Sequence, residues 1–134
     1  MEIALQVVAG VWGAWVALNL LMVALAATVL PVQQVHFDGF RARLPTSLPT
    51  LLAPTEIAAV VAHEHGHAHH LHIWTNLLLR CLLLTPGPQR RRRQEIEADD
   101  YAVARGHGAH LASALRKLSS HPDDVSRAER LERM

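Results

Sequence analysis

No Asp, Glu, Lys or Arg occurs between Glu2 and Asp38, so the first quarter of the chain lacks the charge a solvated surface helix carries. The chain also has a single cysteine, Cys81, which excludes an intrachain disulfide. Cys81 sits in an apolar run and is expected to pack as a small hydrophobe. The formal net charge of +1 gives no sign of a nucleic-acid partner. Arg90-Arg91-Arg92-Arg93 has no interleaved aromatics and reads as a solvated or lipid-headgroup-facing turn. No internal repeat is evident. At 134 residues the chain supports one small domain plus an anchor, not two full domains.

From Ile3 to Leu30 the sequence is almost wholly apolar, with only Gln6, Asn19 and Thr28 as polar interruptions, and Pro31 closes it. About 20 apolar residues suffice to cross a bilayer core as a helix. A cleaved signal peptide fits poorly, because Glu2 replaces the basic start and the run exceeds the roughly 7–15 residues of a signal core. A buried core helix also fits poorly, since the remaining chain can hardly wrap a helix that is apolar all round. Residues 1–31 are therefore expected to be a single-pass membrane anchor and residues 32–134 a separate domain. Arg41, Arg43 and Arg90–Arg93 follow the span, which by the positive-inside rule predicts a cytoplasmic domain.

What is present in abundance is histidine. Six of the ten residues from His63 to His72 are histidine, and they include His63-Glu64-His65-Gly66-His67. On a helix His63 and His67 lie one turn apart on one face and can grip one zinc ion. Glu64 beside them can take a proton from a metal-bound water. The alternative is a metal-buffering or sensing tract, which a His-rich composition alone produces.

Along the rest of the chain, Asp38-Gly39 between Val35–Phe37 and Phe40–Leu44 predicts a β-hairpin with a type I′ turn. Such a hairpin offers an edge to an extended peptide. Pro45, Pro49 and Pro54 predict loop or extended chain. Thr55 is the expected N-cap of a helix whose positive end Glu56 favours, running to between Trp74 and Leu84. The apolar stretch Leu71–Leu84 is too short and too polar for a second span; it lies against a membrane surface or closes the domain core. Further helices are expected over Gln89–Arg105, stopped by Gly106, over His110–Ser119, and from Asp123 with Val125, Ala128 and Leu131 in phase.

Only 27 residues separate His67 from Glu95, enough for one helix to end at Pro86-Gly87-Pro88 and another to return alongside. An antiparallel pair puts Glu95 opposite the two histidines as third ligand. Asp99, one turn further, is placed to accept a hydrogen bond from the distal nitrogen of a ligand histidine. Glu97 sits at the wrong angle to join them and receives no role. A solvated acidic face is the alternative for this segment.

His63-Glu64-His65-Gly66-His67 with His70 and His72 resembles the extended motif of the membrane zinc metallopeptidase family of the heat-shock protease HtpX and the CaaX prenyl protease. Arg92-Arg93-Gln94-Glu95-Ile96-Glu97-Ala98-Asp99 resembles that family's second motif. Ala112–Leu118, Ser120-His121-Pro122 and Arg127–Leu131 resemble its C-terminal stretch. The resemblance covers about Leu51 to Leu131. It implies a mainly α, gluzincin-type zinc-peptidase domain in which His63, His67 and Glu95 hold zinc. Glu64 is then the base, Asp99 the motif's second acidic residue, and His121 a donor to the developing oxyanion, or else a helix cap. His65 and His69 fall outside the motif and read as surface residues. The family's members commonly carry several spans, including a hydrophobic hairpin between the two zinc motifs, whereas this chain has one span and a short connection. A sensor peptidase that detects beta-lactams shares the first motif and a downstream glutamate, but matches the Glu-x-x-Ala-Asp and His-Pro segments less well.

The sequence thus predicts a membrane-anchored zinc endopeptidase acting on peptide or protein substrates, with lipid and no nucleic acid as its other partner. The alternatives are a non-catalytic His-rich metal-binding or sensor protein, and a latent enzyme whose C-terminal segment fills its own cleft.

Overall fold

The computed structural model of the chain describes residues 2–29, 32–37 and 40–134. These form two compact units, Met1–Leu30 with Trp74–Pro86, and Pro31–Ile73 with Gly87–Met134. The fold is mainly helical, as expected, with one two-stranded sheet.

In the first unit, helix α1 covers Glu2–Val29, and its stretch Glu2–Leu25 is long and apolar enough to cross a membrane. Trp12 Nε1 donates to the carbonyl of Cys81 at 2.8 Å, and Trp15 Nε1 to that of Arg80 at 2.9 Å.

In the second unit, strands β1 (Val32–Phe37) and β2 (Phe40–Pro45) pair antiparallel, with Val35 opposite Ala42 and Phe37 opposite Phe40. That is the predicted hairpin; its Asp38-Gly39 turn lies outside the described residues. Leu44 is buried against Val61, which ties β2 to the helix that follows the hairpin. Between the strands and that helix, the expected loop contains a short helix, α2 (Leu48–Leu51).

Helix α3 spans Pro54–His69. Its N-cap is Ala53, not the predicted Thr55, because Pro54 takes the first helical position, where its missing N–H costs nothing. Glu56 then reaches back to the Ala53 N–H at 2.7 Å. Glu56 is buried, and Ser113 Oγ and Lys117 Nζ also donate to it, at 2.6 and 2.8 Å. Led by the Lys117 ammonium, these donors hold its carboxyl down at about 2.

The predicted continuous helix past the histidines is broken. Leu71 adopts a left-handed conformation (φ 55°), ending α3 and starting α4 at His72 (His72–Cys81). Helix α5 covers Pro88–Val103 and is stopped by Gly106 at φ 81°, with His107 N–H bonded to the Ala102 carbonyl. Helices α6 (Gly108–Leu118) and α7 (Pro122–Glu132) follow, close to the predicted ranges.

The core of this unit is built from small residues. Ala59, Ala62, Ala102, Ala112 and Ala128 cluster with Leu111 and Leu131. Helices α3 and α5 run antiparallel, since His67 meets Glu95 while His63 reaches Asp99. A Cβ on Gly66 would lie 2.8 Å from the Ala98 Cα, so the absent side chain sets how closely the two helices approach.

Candidate metal centre

The close α3–α5 contact brings together the three residues the sequence nominates as ligands. His63 Nε2 and His67 Nε2 are 3.1 Å apart. Glu95 Oε2 is 3.5 Å from His63 Nε2, and Glu95 Oε1 is 3.5 Å from His67 Nε2. Donors about 2.0–2.1 Å from a tetrahedral ion stand roughly 3.3 Å from each other. The three groups therefore can hold a metal ion, and two imidazoles with one carboxylate suit zinc. They would supply three protein donors to such an ion.

Each imidazole is held from behind. His63 Nδ1 is 2.9 Å from Asp99 Oδ1, in an ion-pair contact whose angle is not that of a straight hydrogen bond. Asp99 is fully buried and is gripped by Arg127, Nη2 to Oδ1 at 2.7 Å and Nε to Oδ2 at 2.9 Å. Arg127 Nη1 also contacts Glu95 Oε2 at 3.0 Å, so one guanidinium fixes both carboxylates. Asp99 thus stands at the distal nitrogen of His63, where the sequence expects it, in an ion-pair contact and not in the expected hydrogen bond. In the sequence Arg127 belongs only to the C-terminal motif, and nothing in its spacing points to Asp99, 28 residues away.

Behind His67 stands a chain of groups. His67 Nδ1 is 2.8 Å from His72 Nδ1, His72 Nε2 is 3.0 Å from Glu97 Oε2, and Arg93 Nε donates to Glu97 Oε1 at 2.9 Å. If His67 held a metal through Nε2, its Nδ1–H would donate to His72, and the His72 Nε2–H would donate to Glu97. Glu97, which the sequence left without a role, anchors the chain. The left-handed turn at Leu71 makes this possible. In an unbroken helix, residues five apart would point away from each other.

The electrostatics follow. Burial pulls the His63 imidazole down, but Asp99 and Glu95 outweigh it and push it up to about 9. Metal coordination must displace that proton. Burial alone would raise the carboxyls of Glu95 and Asp99. The first is instead held well below its ordinary range by His63, His67 and Arg127, the second by Arg127 and His63. The His72 imidazole is lowered, chiefly by burial.

Glu64 is exposed and makes no hydrogen bond or ion pair among the described residues, leaving its carboxylate available. His121 Nδ1 accepts from the Asp123 N–H at 3.3 Å and caps α7. It also lines an open cleft of about 510 Å³, with Arg91, Arg92, Glu95, Asp124 and Arg127. His65 is not a free surface residue as expected: its Nδ1 lies 3.2 Å from the Tyr101 hydroxyl, while His69 is exposed beside the same ring. Comparison of the chain with protein-family models, with curated proteins and with solved structures gives no match, so the family resemblance of its motifs stands on those residues alone.

Proposed function

We propose that this protein is a membrane-anchored zinc endopeptidase of gluzincin type. The observation that carries the reading is the pair His63 Nε2 and His67 Nε2, 3.1 Å apart, with one oxygen of the Glu95 carboxylate 3.5 Å from each, Oε2 from His63 and Oε1 from His67, and with Glu64 making no hydrogen bond or ion pair among the described residues. His63, His67 and Glu95 would hold the zinc, which when bound would supply a Lewis acid to polarise a peptide carbonyl and acidify water. Glu64 receives the proton of the attacking water and passes it to the leaving amine. His72 holds the His67 imidazole in the tautomer that presents Nε2, and the Asp99 carboxylate stands 2.9 Å behind His63 Nδ1 and favours a proton on that nitrogen. Arg127 fixes the rotation of the Glu95 carboxylate. His121 borders the cleft where the carbonyl oxygen becomes negative and is the donor proposed for it. The apolar α1 is the anchor, and the arginines that follow it put the domain on the cytoplasmic side.

The test is the full chain loaded with zinc and assayed on an unfolded protein such as casein. Glu64→Gln keeps stoichiometric zinc and loses turnover by about 10²–10⁴-fold, the usual worth of a general base. Glu95→Ala loses zinc. A wild type that binds zinc stoichiometrically yet cleaves nothing is a metal-binding or sensing protein instead. Activity retained in Glu64→Gln removes Glu64 from the mechanism.

A further inference from the structure

The end of α4 has an arrangement that water does not require. A helix leaves its last four carbonyls without partners inside the helix, and in solution water serves them. In α4 these belong to Leu78, Leu79, Arg80 and Cys81, and the chain itself satisfies all four. Leu82 N–H bonds to the Leu78 carbonyl at 3.0 Å, Leu84 N–H to that of Leu79 at 2.8 Å, and Leu83 N–H to that of Arg80 at 3.0 Å. Trp15 Nε1 adds a second bond to the Arg80 carbonyl, and Trp12 Nε1 takes that of Cys81. The reversal runs through Leu83 in a left-handed conformation (φ 61°), a place that glycine normally takes. Here a large apolar side chain occupies it.

The two tryptophans are equally telling. Tryptophan usually sits at the edge of a span, where its N–H meets water or headgroups. Trp12 and Trp15 instead straddle the middle of Glu2–Leu25, about 15 and 20 Å along the helix from Glu2. At that depth an indole N–H has no water, and each finds a carbonyl of α4. Those carbonyls must then lie at the same depth, where every backbone group needs a partner within the protein.

From these observations we propose that Trp74–Pro86 is a re-entrant membrane segment, clamped near the bilayer midplane by the Trp12 and Trp15 indoles. Its lipid-facing side chains are Trp74, Leu78, Leu82, Leu83 and Leu84, all exposed in the chain itself. The occupant of this surface is the hydrocarbon of the bilayer, in continuity with α1. Arg80 is the only Asp, Glu, Lys or Arg between Leu71 and Gln89, and its side chain is exposed. The inference rests on α1 crossing the bilayer.

The experiment uses the full chain in phosphatidylcholine nanodiscs at one chain per disc, so both faces meet the reagent and no second copy can cover the segment. Leu78→Cys and Leu84→Cys are built in a Cys81→Ser background and labelled with a membrane-impermeant maleimide, with Ser120→Cys as the exposed reference. Positions 78 and 84 are expected to react at least tenfold more slowly than 120, and all three to label fully after denaturation in SDS. Trp12→Phe with Trp15→Phe removes both indole donors and is expected to bring position 84 close to the reference rate. If the chain fails to enter the discs, the spanning reading falls and takes this inference with it. If it enters and positions 78 and 84 label as fast as 120, the re-entrant segment alone is overturned. Unchanged protection at 84 without the indoles overturns the clamp.

Discussion

Gly66 rests directly on the backbone of Ala98, with no space between α3 and α5 for even a methyl group. The contact lies one residue from His67 and three from Glu95, so it sets the distance between the two sides of the ligand triangle. Gly66→Ala is expected to destabilise the domain by about 1–3 kcal/mol, the usual range for overpacking. It should also weaken zinc binding, because separated helices open the triangle. Urea unfolding and competition against a chelating dye measure the two effects. A variant with unchanged affinity would show that the helices can slide without disturbing the ligands.

The buried Asp99 carboxylate depends on Arg127 for its charge balance. Arg127→Met removes the bidentate partner of that charge and leaves it only the His63 imidazole, and is expected to cost about 3–5 kcal/mol of stability. The double variant Arg127→Met with Asp99→Leu removes both charges and should recover part of the loss. Thermal or urea unfolding of the two proteins decides it; equal destabilisation would mean that packing of the Arg127 stem, not charge, dominates.

His72 fixes the ring of His67 through Nδ1, and Glu97 fixes His72. Partners behind a ligand histidine typically contribute 10–100-fold to metal affinity. His72→Phe is expected to lower zinc affinity by about that factor while leaving helix content unchanged by circular dichroism. Glu97→Gln should have a smaller effect in the same direction. Affinity equal to wild type in both would remove the chain behind His67 from the site.

Glu56 provides a pH dependence outside the candidate metal centre. Its carboxyl is held at about 2 against an ordinary 4.5, chiefly by Lys117 and Ser113. The unfolded chain therefore binds the proton first as the solution is acidified. The stabilisation is fully present above pH 4.5 and is lost as pH falls through 2. Glu56→Gln should be less stable than wild type at pH 7, and its stability should fall less steeply between pH 4.5 and 2. Urea midpoints across that range test the sign.

The meeting of His63, His67 and Glu95 was legible because its parts repeat at helical spacing. His63 and His67 are four apart, Glu95 and Asp99 are four apart, and Pro86-Gly87-Pro88 marks the reversal between them. The chain behind His67 was not legible. It depends on a left-handed leucine at position 71, and a leucine carries no sign of that conformation. Arg127 escaped for another reason: its partners come from a different helix, and only the packing of α7 against α5 brings them within reach. Glu56 was read from its position near a helix start. Its burial and its bond to Lys117, 61 residues away, follow from tertiary structure.

The α3–α5 seam is made of alanine and glycine, residues with few methyl groups to withdraw from water. Its adhesion per residue is correspondingly weak. A divalent ion bridging His63 and His67 to Glu95 would rivet the two helices where side-chain burial does least. Stripping that ion with EDTA should therefore soften the whole domain and lower its melting temperature, not merely silence the cleft.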